Sequence, residues 1–289
     1  MALADSFRSL VAFVGAQFIY GLIEVFGRTV RPEDVPWLLG PVGGPHIGDK
    51  PYEEAAAAEG LTVERRASDG GLVPDWSALA GPDFDPDAAD PGVRDFYERT
   101  ARYRMDVWAR SPFPANLALW LLVTTISREV DQLNFPVDAL DTAAGMDSEI
   151  VLLRRPDGSI RYTGWFRKLL GSGRVLYTGF YMTESVPGHG SPCVKVVFPM
   201  PVGSATVILR PHLAADGSFE LISAGRSFGD VGFYRIRKRA NGNLRVWRIH
   251  TLREHFRLFR DDRGELRCDH RVRFLGLPVL QLHYRIEEA

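Results

Sequence analysis

Cysteine and lysine are both scarce in this chain of 289 residues. Its two cysteines, Cys193 and Cys268, lie far apart and form no C-x-x-C pair, so neither a dithiol redox motif nor a zinc knuckle is indicated. Only four lysines accompany 31 arginines. The composition is otherwise that of an ordinary globular protein, and we expect it in a reducing cytoplasm.

Nucleotide and metal motifs are also missing. The chain has no P-loop, no H-E-x-x-H sequence and no Rossmann fingerprint. A G-x-S-x-G match at 225–229 precedes a predicted strand, whereas a nucleophile elbow needs a helix there. His250 and His255 would point to opposite faces of a strand, while His270 shares a face with Cys268. We therefore expect neither a metal nor a cofactor.

Long apolar runs are few, and the segment 9–27 is the candidate for membrane insertion. Gln17 and Glu24 interrupt it, and Asp5 cancels the charge of Arg8 where a signal peptide would be positive. Its apolar residues recur near helical spacing. We expect an amphipathic helix that covers the core, with peripheral membrane contact as the alternative.

Charge is unevenly distributed, although the net charge is only −1. Residues 1–150 contain 24 acidic and 12 basic side chains, whereas residues 151–289 contain 12 acidic and 23 basic ones. A basic half could attract nucleic acid, anionic lipid or an acidic substrate. Because no nucleic-acid-binding module is recognisable, we expect no nucleic acid partner and favour packing of the two halves against each other.

The N-terminal half predicts a long arm followed by helices. Residues 30–92 are rich in Pro, Gly and Asp and contain one short helical stretch, YEEAAAAEGL. A helix is predicted over 91–110, with Asp90 as its cap and Pro91 in its first turn. A second, largely apolar helix is predicted over 115–133.

From residue 148 onward the pattern is that of antiparallel strands, joined by turn signals such as Asp157-Gly158 and Asn241-Gly242. It predicts a mainly β (α+β) fold: an antiparallel lipocalin-like β-barrel or a strongly curved sheet, with the N-terminal helices packed on it. We divide the chain into a helical and wrapping region, 1–147, and a β region, 148–289, which together form one structural unit. The sequence indicates no oligomeric state.

A five-residue pattern occurs twice, as Tyr-Thr-Gly-Trp-Phe at 162–166 and as Tyr-Thr-Gly-Phe-Tyr at 177–181. If Gly171-Ser172 is a two-residue hairpin turn, Gly164 pairs with Gly179. Two adjacent glycines would leave a gap on one face of the sheet. Such a gap either bends a barrel corner or lets a ligand approach the backbone between aromatic rings.

Alternation along the strands selects the candidate residues of a cavity. Three polar side chains that share a face with aliphatic ones are predicted to donate hydrogen bonds to a ligand carbonyl: Tyr234, His270 and Tyr284. Aromatic residues and the two glycines are predicted to line the cavity wall: Tyr103, Trp108, Gly164, Trp165, Tyr177, Gly179 and Tyr181.

Three stretches, FYERTARYRMDVW, QLNFPVDALDTAAGMDSE and RCDHRVRFLGLPVLQLHYRI, resemble a little-characterised bacterial family of about this length. The C-terminal half is similar in pattern to lipocalin-like barrels, with TGW at 163–165 as a loose match to their G-x-W signature. The resemblance implies a comparison with lipocalin-like natural-product cyclases, including Diels-Alderases, which act without a cofactor.

Three functions follow as hypotheses. The first is a cofactor-independent cyclase or isomerase that folds a hydrophobic polyketide-type substrate inside the cavity. The second is a non-catalytic carrier for a lipid, pigment or polyketide. The third is lipid handling at a membrane surface through the first helix.

Overall fold

The computed structural model describes residues 17, 20–44, 47–113, 132 and 145–289. Within them, α1 (Pro51–Glu59) and α2 (Pro91–Glu98) are α-helices, and residues 20–26 are also helical. Three strands come from the N-terminal half: β1 (Arg28–Val30), β2 (Thr62–Glu64) and β3 (Tyr103–Arg110). The others follow from residue 146: β4 (Met146–Arg154), β5 (Ile160–Leu169), β6 (Val175–Glu184), β7 (Cys193–Met200), β8 (Gly203–Leu213), β9 (Phe219–Ile222), β10 (Gly232–Lys238), β11 (Leu244–Arg248), β12 (Leu252–Arg260), β13 (Leu266–Phe274) and β14 (Leu277–Glu288).

These strands form one antiparallel sheet in the order β2-β4-β5-β6-β7-β8-β9-β12-β13-β14-β3, while β10 pairs with β8 and β11, and β1 pairs with β11. Within the described ranges, β2 and β3 end the path and do not pair with each other. The mainly β, antiparallel prediction is therefore confirmed as a curved sheet, and the closed barrel is wrong. The curvature still brings distant strands together, because the guanidinium carbon of Arg167 on β5 lies 5.8 Å from the Tyr284 ring on β14.

Turn chemistry places most of the hairpins where the sequence predicts them. Asp157-Gly158 lies between β4 and β5, and Asn241-Gly242 lies between β10 and β11. Gly158 and Gly242 have φ values of 84° and 85°, which only glycine adopts at no steric cost.

The β strands that precede residue 146 contribute to the same sheet, since β2 pairs with β4 and β3 pairs with β14.

The β5–β6 hairpin differs from the prediction by one residue. Gly171-Ser172 belongs to a longer loop and the register shifts after Arg167, so Gly164 pairs with Phe180 and Gly179 pairs with Trp165. The glycines are therefore not partners. Because successive side chains of a strand point to opposite faces, Gly164 and Gly179 lie on opposite faces of the sheet.

The predicted helix over 91–110 ends early. Asp90 caps it as predicted, with Oδ1 accepting from the backbone N of Gly92 at 2.8 Å, but α2 stops at Glu98. Residues Tyr103–Arg110 form β3 instead. Along this strand every second side chain is exposed and the others are partly or fully buried. This two-residue repeat is typical of a strand at the edge of a sheet and not of a helix.

Two other predicted helices fall largely outside the described residues. The segment 115–133 lies outside them except for Gln132, whose side chain is buried and bonds to the backbone of Thr178 on β6. Of the segment 9–27, residues 20–26 are helical and pack on the sheet. Ile23 is fully buried, and Glu24 Oε1 accepts from Arg237 Nη1 at 3.2 Å.

The two faces of the sheet around β4–β7 are covered by different elements. We call the face that presents Phe166 and Phe180 the outer face; Tyr52 of α1 packs against it, 5.0 Å from the Phe180 ring. We call the opposite face, with Trp165 and Tyr177, the cavity face. It belongs to the largest apolar cluster of the molecule's described part, together with α2 and the loop around Trp76.

Candidate ligand cavity

A cavity of about 830 Å³ lies between the cavity face of the sheet and α2. Most strands contribute to its wall, and Phe96 and Tyr97 of α2 border it as well. Aliphatic and aromatic side chains make up nearly all of the lining, for example Met105, Val196, Leu209, Leu221 and Val272. A cavity of this size and composition matches the usual site for a small apolar molecule.

Few polar side chains interrupt this lining. They are Arg167, Glu254 and His270, the thiol of Cys268, and the hydroxyl groups of Tyr97, Tyr177, Tyr181 and Tyr284. A small number of polar groups in an apolar wall is the arrangement that orients a ligand.

Arg167 is the most unusual of these residues. Its side chain is only 1% exposed, and it makes no ion pair with any carboxylate of the described residues. Its guanidinium carbon lies 4.9 Å from the Trp165 ring and 6.0 Å from the Tyr177 ring. Nη2 contacts the sulfur of Met146 at 3.6 Å, and Nε has no hydrogen-bond partner among the described residues. A buried guanidinium is thus surrounded by rings, the hydroxyls of Tyr177 and Tyr284 and a thioether rather than by an anion.

The tyrosines near Arg167 keep their protons. Burial raises the pKa of Tyr177, Tyr181 and Tyr284 above the ordinary phenol value. Each hydroxyl is therefore a potential donor at any physiological pH.

Glu254 and His270 border the cavity on β12 and β13. The Glu254 side chain makes no hydrogen bond or ion pair with the described residues, and burial alone raises its pKa to about 7. Burial, with a smaller contribution from His255, lowers the pKa of His270 to about 3, so the ring is neutral. The His270 ring stacks on Phe256 with 3.8 Å between centroids, and its Nε2 is unpartnered among the described residues.

One end of the cavity is bordered by exposed apolar side chains, which we call the rim: Phe113, Phe274, Leu275 and Leu277. Phe113 is 81% exposed and Leu275 66% exposed. Leu275 and Gly276 form the two-residue turn between β13 and β14, and Leu275 has a φ of 54°. An exposed leucine in a left-handed turn position is unfavourable for stability, so its position at a cavity entrance calls for a functional explanation.

Several predicted residues do border the cavity. Trp165, Tyr177 and Tyr181 form part of the wall, and His270 and Tyr284 supply polar groups to it. Gly179 lies on the same face, because a Cβ there would lie 3.3 Å from the Tyr181 ring and 3.4 Å from the Phe198 ring. The structure brings these six residues together.

Four predicted residues lie elsewhere. Tyr234 packs in a separate cluster with Trp37, and its hydroxyl donates to the Asp230 carbonyl at 2.5 Å. Trp108 is half exposed on the opposite face of β3, beside His283. A helix over 91–110 would place Trp108 on the same face as Tyr97, whereas the strand period places it outside the cavity.

The other two are Tyr103 and Gly164. The Tyr103 hydroxyl donates to Asp95 Oδ2 at 2.6 Å, and the residue is not part of the cavity wall. Gly164 lies on the outer face, where a Cβ would lie 2.9 Å from Cδ1 of Tyr52 and closer still to Cε1. Its missing side chain makes room for a helix and not for a ligand.

Sequence reasoning missed the two charged residues of the wall. Arg167 lies two residues after Trp165, and Glu254 lies two residues before Phe256, so period-two alternation already placed both on apolar faces. The signal was a charge on a face of otherwise apolar residues. The rim residues were missed because the sequence does not show which hairpin lies at the cavity opening.

Metal ligands do not cluster in the described part of the chain, where no group of three or more His, Cys, Asp or Glu residues could hold an ion. Cys268 borders the cavity and is buried, which raises the pKa of its thiol. Among the described helices, none has both the length and the apolar character needed to cross a bilayer.

Comparison with known proteins yields one distant relative. The chain is 25% identical, over an alignment 289 positions long, to the uncharacterised membrane protein YndJ of Bacillus subtilis. The alignment covers 93% of this chain and 49% of the relative, so the chain spans about half of that protein's length. No protein-family model and no solved structure matches the chain.

Proposed function

We propose that this protein binds a hydrophobic small molecule in the cavity. The observation that supports the proposal is the lining: a space of about 830 Å³ bordered almost wholly by apolar side chains, with a rim of exposed apolar residues. Creating such a space costs stability, because the residues around it lose packing partners. A bound apolar molecule restores those contacts.

A neutral apolar fluorophore, N-phenyl-1-naphthylamine, tests the proposal. Val272 borders the cavity on β13, whereas its neighbour Arg271 is exposed and points away from it. Val272→Trp fills cavity space and is expected to weaken fluorophore binding at least tenfold. Arg271→Trp places the same bulky side chain on the same strand outside the cavity and should leave the dissociation constant unchanged.

Two results would contradict binding in this cavity. Wild-type protein that fails to enhance the fluorescence at any concentration has no accessible apolar site. Equal loss of binding in Val272→Trp and Arg271→Trp, with both variants folded by circular dichroism, would place the fluorophore somewhere else.

A second candidate is the cofactor-independent cyclase or isomerase of a polyketide-type substrate. One observation favours it: two of the three predicted donors, His270 and Tyr284, border the cavity. Turnover of a linear polyene should then fall by about 10²–10³ in Tyr284→Phe or His270→Gln. Tyr234→Phe is the matched control, since Tyr234 lies outside the cavity. If the wild type binds the polyene but does not convert it, the cyclase hypothesis is wrong and the non-catalytic carrier is favoured.

The rim also supports a proposal about where the ligand enters. Three exposed arginines near it, Arg110, Arg253 and Arg273, have no carboxylate partner among the described residues. Arg253 and Arg273 are direct neighbours across β12 and β13, an arrangement that is unfavourable unless an anion lies nearby. We propose that the rim contacts an anionic lipid surface through which ligand is exchanged.

Vesicle sedimentation tests this contact. Binding to phosphatidylglycerol vesicles should fall when Arg253 and Arg273 are both changed to Gln, and it should not fall in Arg174→Gln, which removes an exposed charge from the β5–β6 loop. Equal binding to neutral phosphatidylcholine vesicles, or equal effects of the two sets of substitutions, would contradict the proposal.

A further inference from the structure

Two buried charged side chains on the outer face around β4–β7 are paired with an opposite charge. On the outer face, Glu149 is buried and accepts from Arg65 Nε at 2.7 Å. Lys195 is also buried there, and its Nζ donates to Glu184 Oε2 at 3.0 Å and to the Leu39 carbonyl at 2.7 Å. Both charges have the partners that burial requires.

Arg167 on the cavity face has no such partner. It is as deeply buried as Lys195, yet no described carboxylate lies within ion-pair distance and its Nε bonds to nothing described. Arginine does not lose its proton in proteins, so the charge cannot be removed by titration as it can for lysine. A fixed, desolvated charge without an anion is strongly unfavourable.

The surroundings of Arg167 favour a particular kind of anion. The guanidinium borders a large apolar space, and three aromatic rings around it limit the approach of water. The hydroxyl groups of Tyr177 and Tyr284 belong to the same wall and can donate further hydrogen bonds. Guanidinium groups bind carboxylates and phosphates with two parallel hydrogen bonds.

We infer that Arg167 anchors the anionic head group of an amphiphile, a carboxylate or a phosphate monoester, whose apolar body occupies the rest of the cavity. The inference rests on the proposed function, because it names the chemical class of the ligand bound in that same cavity. It assigns Arg167 as a ligand-binding residue and Tyr177 and Tyr284 as its supporting donors.

The test compares ligands that share an apolar chain and differ in the head group: hexadecanoate, hexadecyl phosphate and hexadecan-1-ol. Displacement of N-phenyl-1-naphthylamine is measured at pH 6, where the Glu254 carboxyl is mostly protonated because burial raises its pKa to about 7. Wild-type protein should bind at least one anionic ligand ten- to a hundredfold more tightly than the alcohol, the range expected for charge-assisted hydrogen bonds. The two anionic ligands distinguish a carboxylate from a phosphate head.

Arg167→Met keeps the length and apolar stem of the side chain and removes the charge. It should abolish the preference for the anions while leaving binding of hexadecan-1-ol unchanged, and Arg167→Lys should retain part of the preference. Without ligand, Arg167→Met should raise the melting temperature, because an unpaired buried charge is lost. A purely structural arginine would give a lower melting temperature instead. Arg174→Met, at an exposed arginine of the β5–β6 loop, is the control.

The outcomes separate this inference from the proposed function. If wild-type protein binds the alcohol as tightly as both anions, the inference is wrong and the hydrophobic site remains. If Arg167→Met weakens binding of all three ligands equally while folded, Arg167 shapes the cavity and does not select the head group. If none of the four apolar probes binds, both proposals fail. Should Arg167→Met not fold, the preference of the wild type and of Arg167→Lys decides the question.

Discussion

The two Tyr-Thr-Gly repeats lie on neighbouring strands and serve opposite purposes. On the outer face, Gly164 makes room for Tyr52, whose ring packs 5.0 Å from Phe180 in a closed aromatic cluster. On the cavity face, a Cβ at Gly179 would lie 3.3–3.4 Å from the rings of Tyr181 and Phe198, and both rings border the cavity. One glycine is required by packing, and the other lies behind two of the rings that form the cavity wall.

The difference between the faces depends on what the rest of the chain places against them. α1 covers the outer face and fills the gap left by a missing side chain. α2 packs against the cavity face near its edge and leaves a volume that no described side chain occupies. The same local sequence therefore yields a tight contact on one face and a binding site on the other.

The largest effect should come from closing the packed gap. In Gly164→Ala the new methyl group would overlap the Tyr52 ring, and we expect the free energy of unfolding to fall by about 3 kcal/mol. Gly179→Ala adds the same methyl group 3.3–3.4 Å from two side-chain rings, which can adjust. We expect it to change stability by less than about 1 kcal/mol. Urea denaturation of both variants measures the difference.

Substitution of Gly179 should affect ligand affinity more than substitution of Gly164, the reverse of their effects on stability. Gly179→Val pushes against the rings of Tyr181 and Phe198, which border the cavity, and should weaken fluorophore binding, whereas folded Gly164→Ala should bind normally. Equal loss of stability in the two alanine variants would show that the faces do not differ, and so would equal loss of affinity.

Much of the architecture was accessible from the sequence because it depends on local signals. Period-two alternation indicated the strands after residue 148, Asp-Gly and Asn-Gly pairs located the hairpins, and Asp90 marked the start of α2. Alternation also assigned Trp165, His270 and Tyr284 to one apolar side. These predictions required knowledge only of neighbouring residues.

The errors came from features that local signals do not determine. A single shift in the β5–β6 register moved Gly164 to the other face, because strand period makes every one-residue error a change of face. The segment 103–110 became an edge strand because β14 offered free backbone groups, which propensity does not reveal. Barrel closure depends on where the first and last strands meet, and the described sheet keeps β2 and β3 apart.

Two carboxylates, one on each face, provide a second comparison, with an expected effect of intermediate size. Glu149 on the outer face pairs with Arg65, whereas Glu254 in the cavity has no partner among the described residues and burial raises its pKa to about 7. At pH 8 we expect Glu149→Gln to lower the free energy of unfolding and Glu254→Gln to raise it, each by about 1–2 kcal/mol. The same chemical change thus has opposite signs on the two faces.

The pH dependence follows from the direction of the Glu254 shift. Its pKa is raised in the folded protein, so the folded state binds more protons than the unfolded state between about pH 4.5 and 7. This carboxyl therefore makes the protein less stable as pH rises through that range, and its contribution is constant above it. His270 stays neutral there because its pKa is about 3. Thermal melts from pH 5 to 8 should lose this slope in Glu254→Gln; an unchanged slope would contradict the assignment.

The smallest effect concerns two exposed residues in left-handed backbone conformations. Leu275, with φ 54°, lies in the β13–β14 turn at the rim, whereas Val202, with φ 60°, lies between β7 and β8 and does not border the cavity. Asparagine tolerates this conformation better than either residue. We expect Leu275→Asn and Val202→Asn each to raise the free energy of unfolding by about 0.5–1 kcal/mol. Only Leu275→Asn should also slow fluorophore uptake in stopped-flow measurements, because it makes the cavity entrance polar. If neither variant is more stable than the wild type, the left-handed conformation does not destabilise these turns. If uptake slows in both variants or in neither, the exposed leucine has no specific role at the entrance.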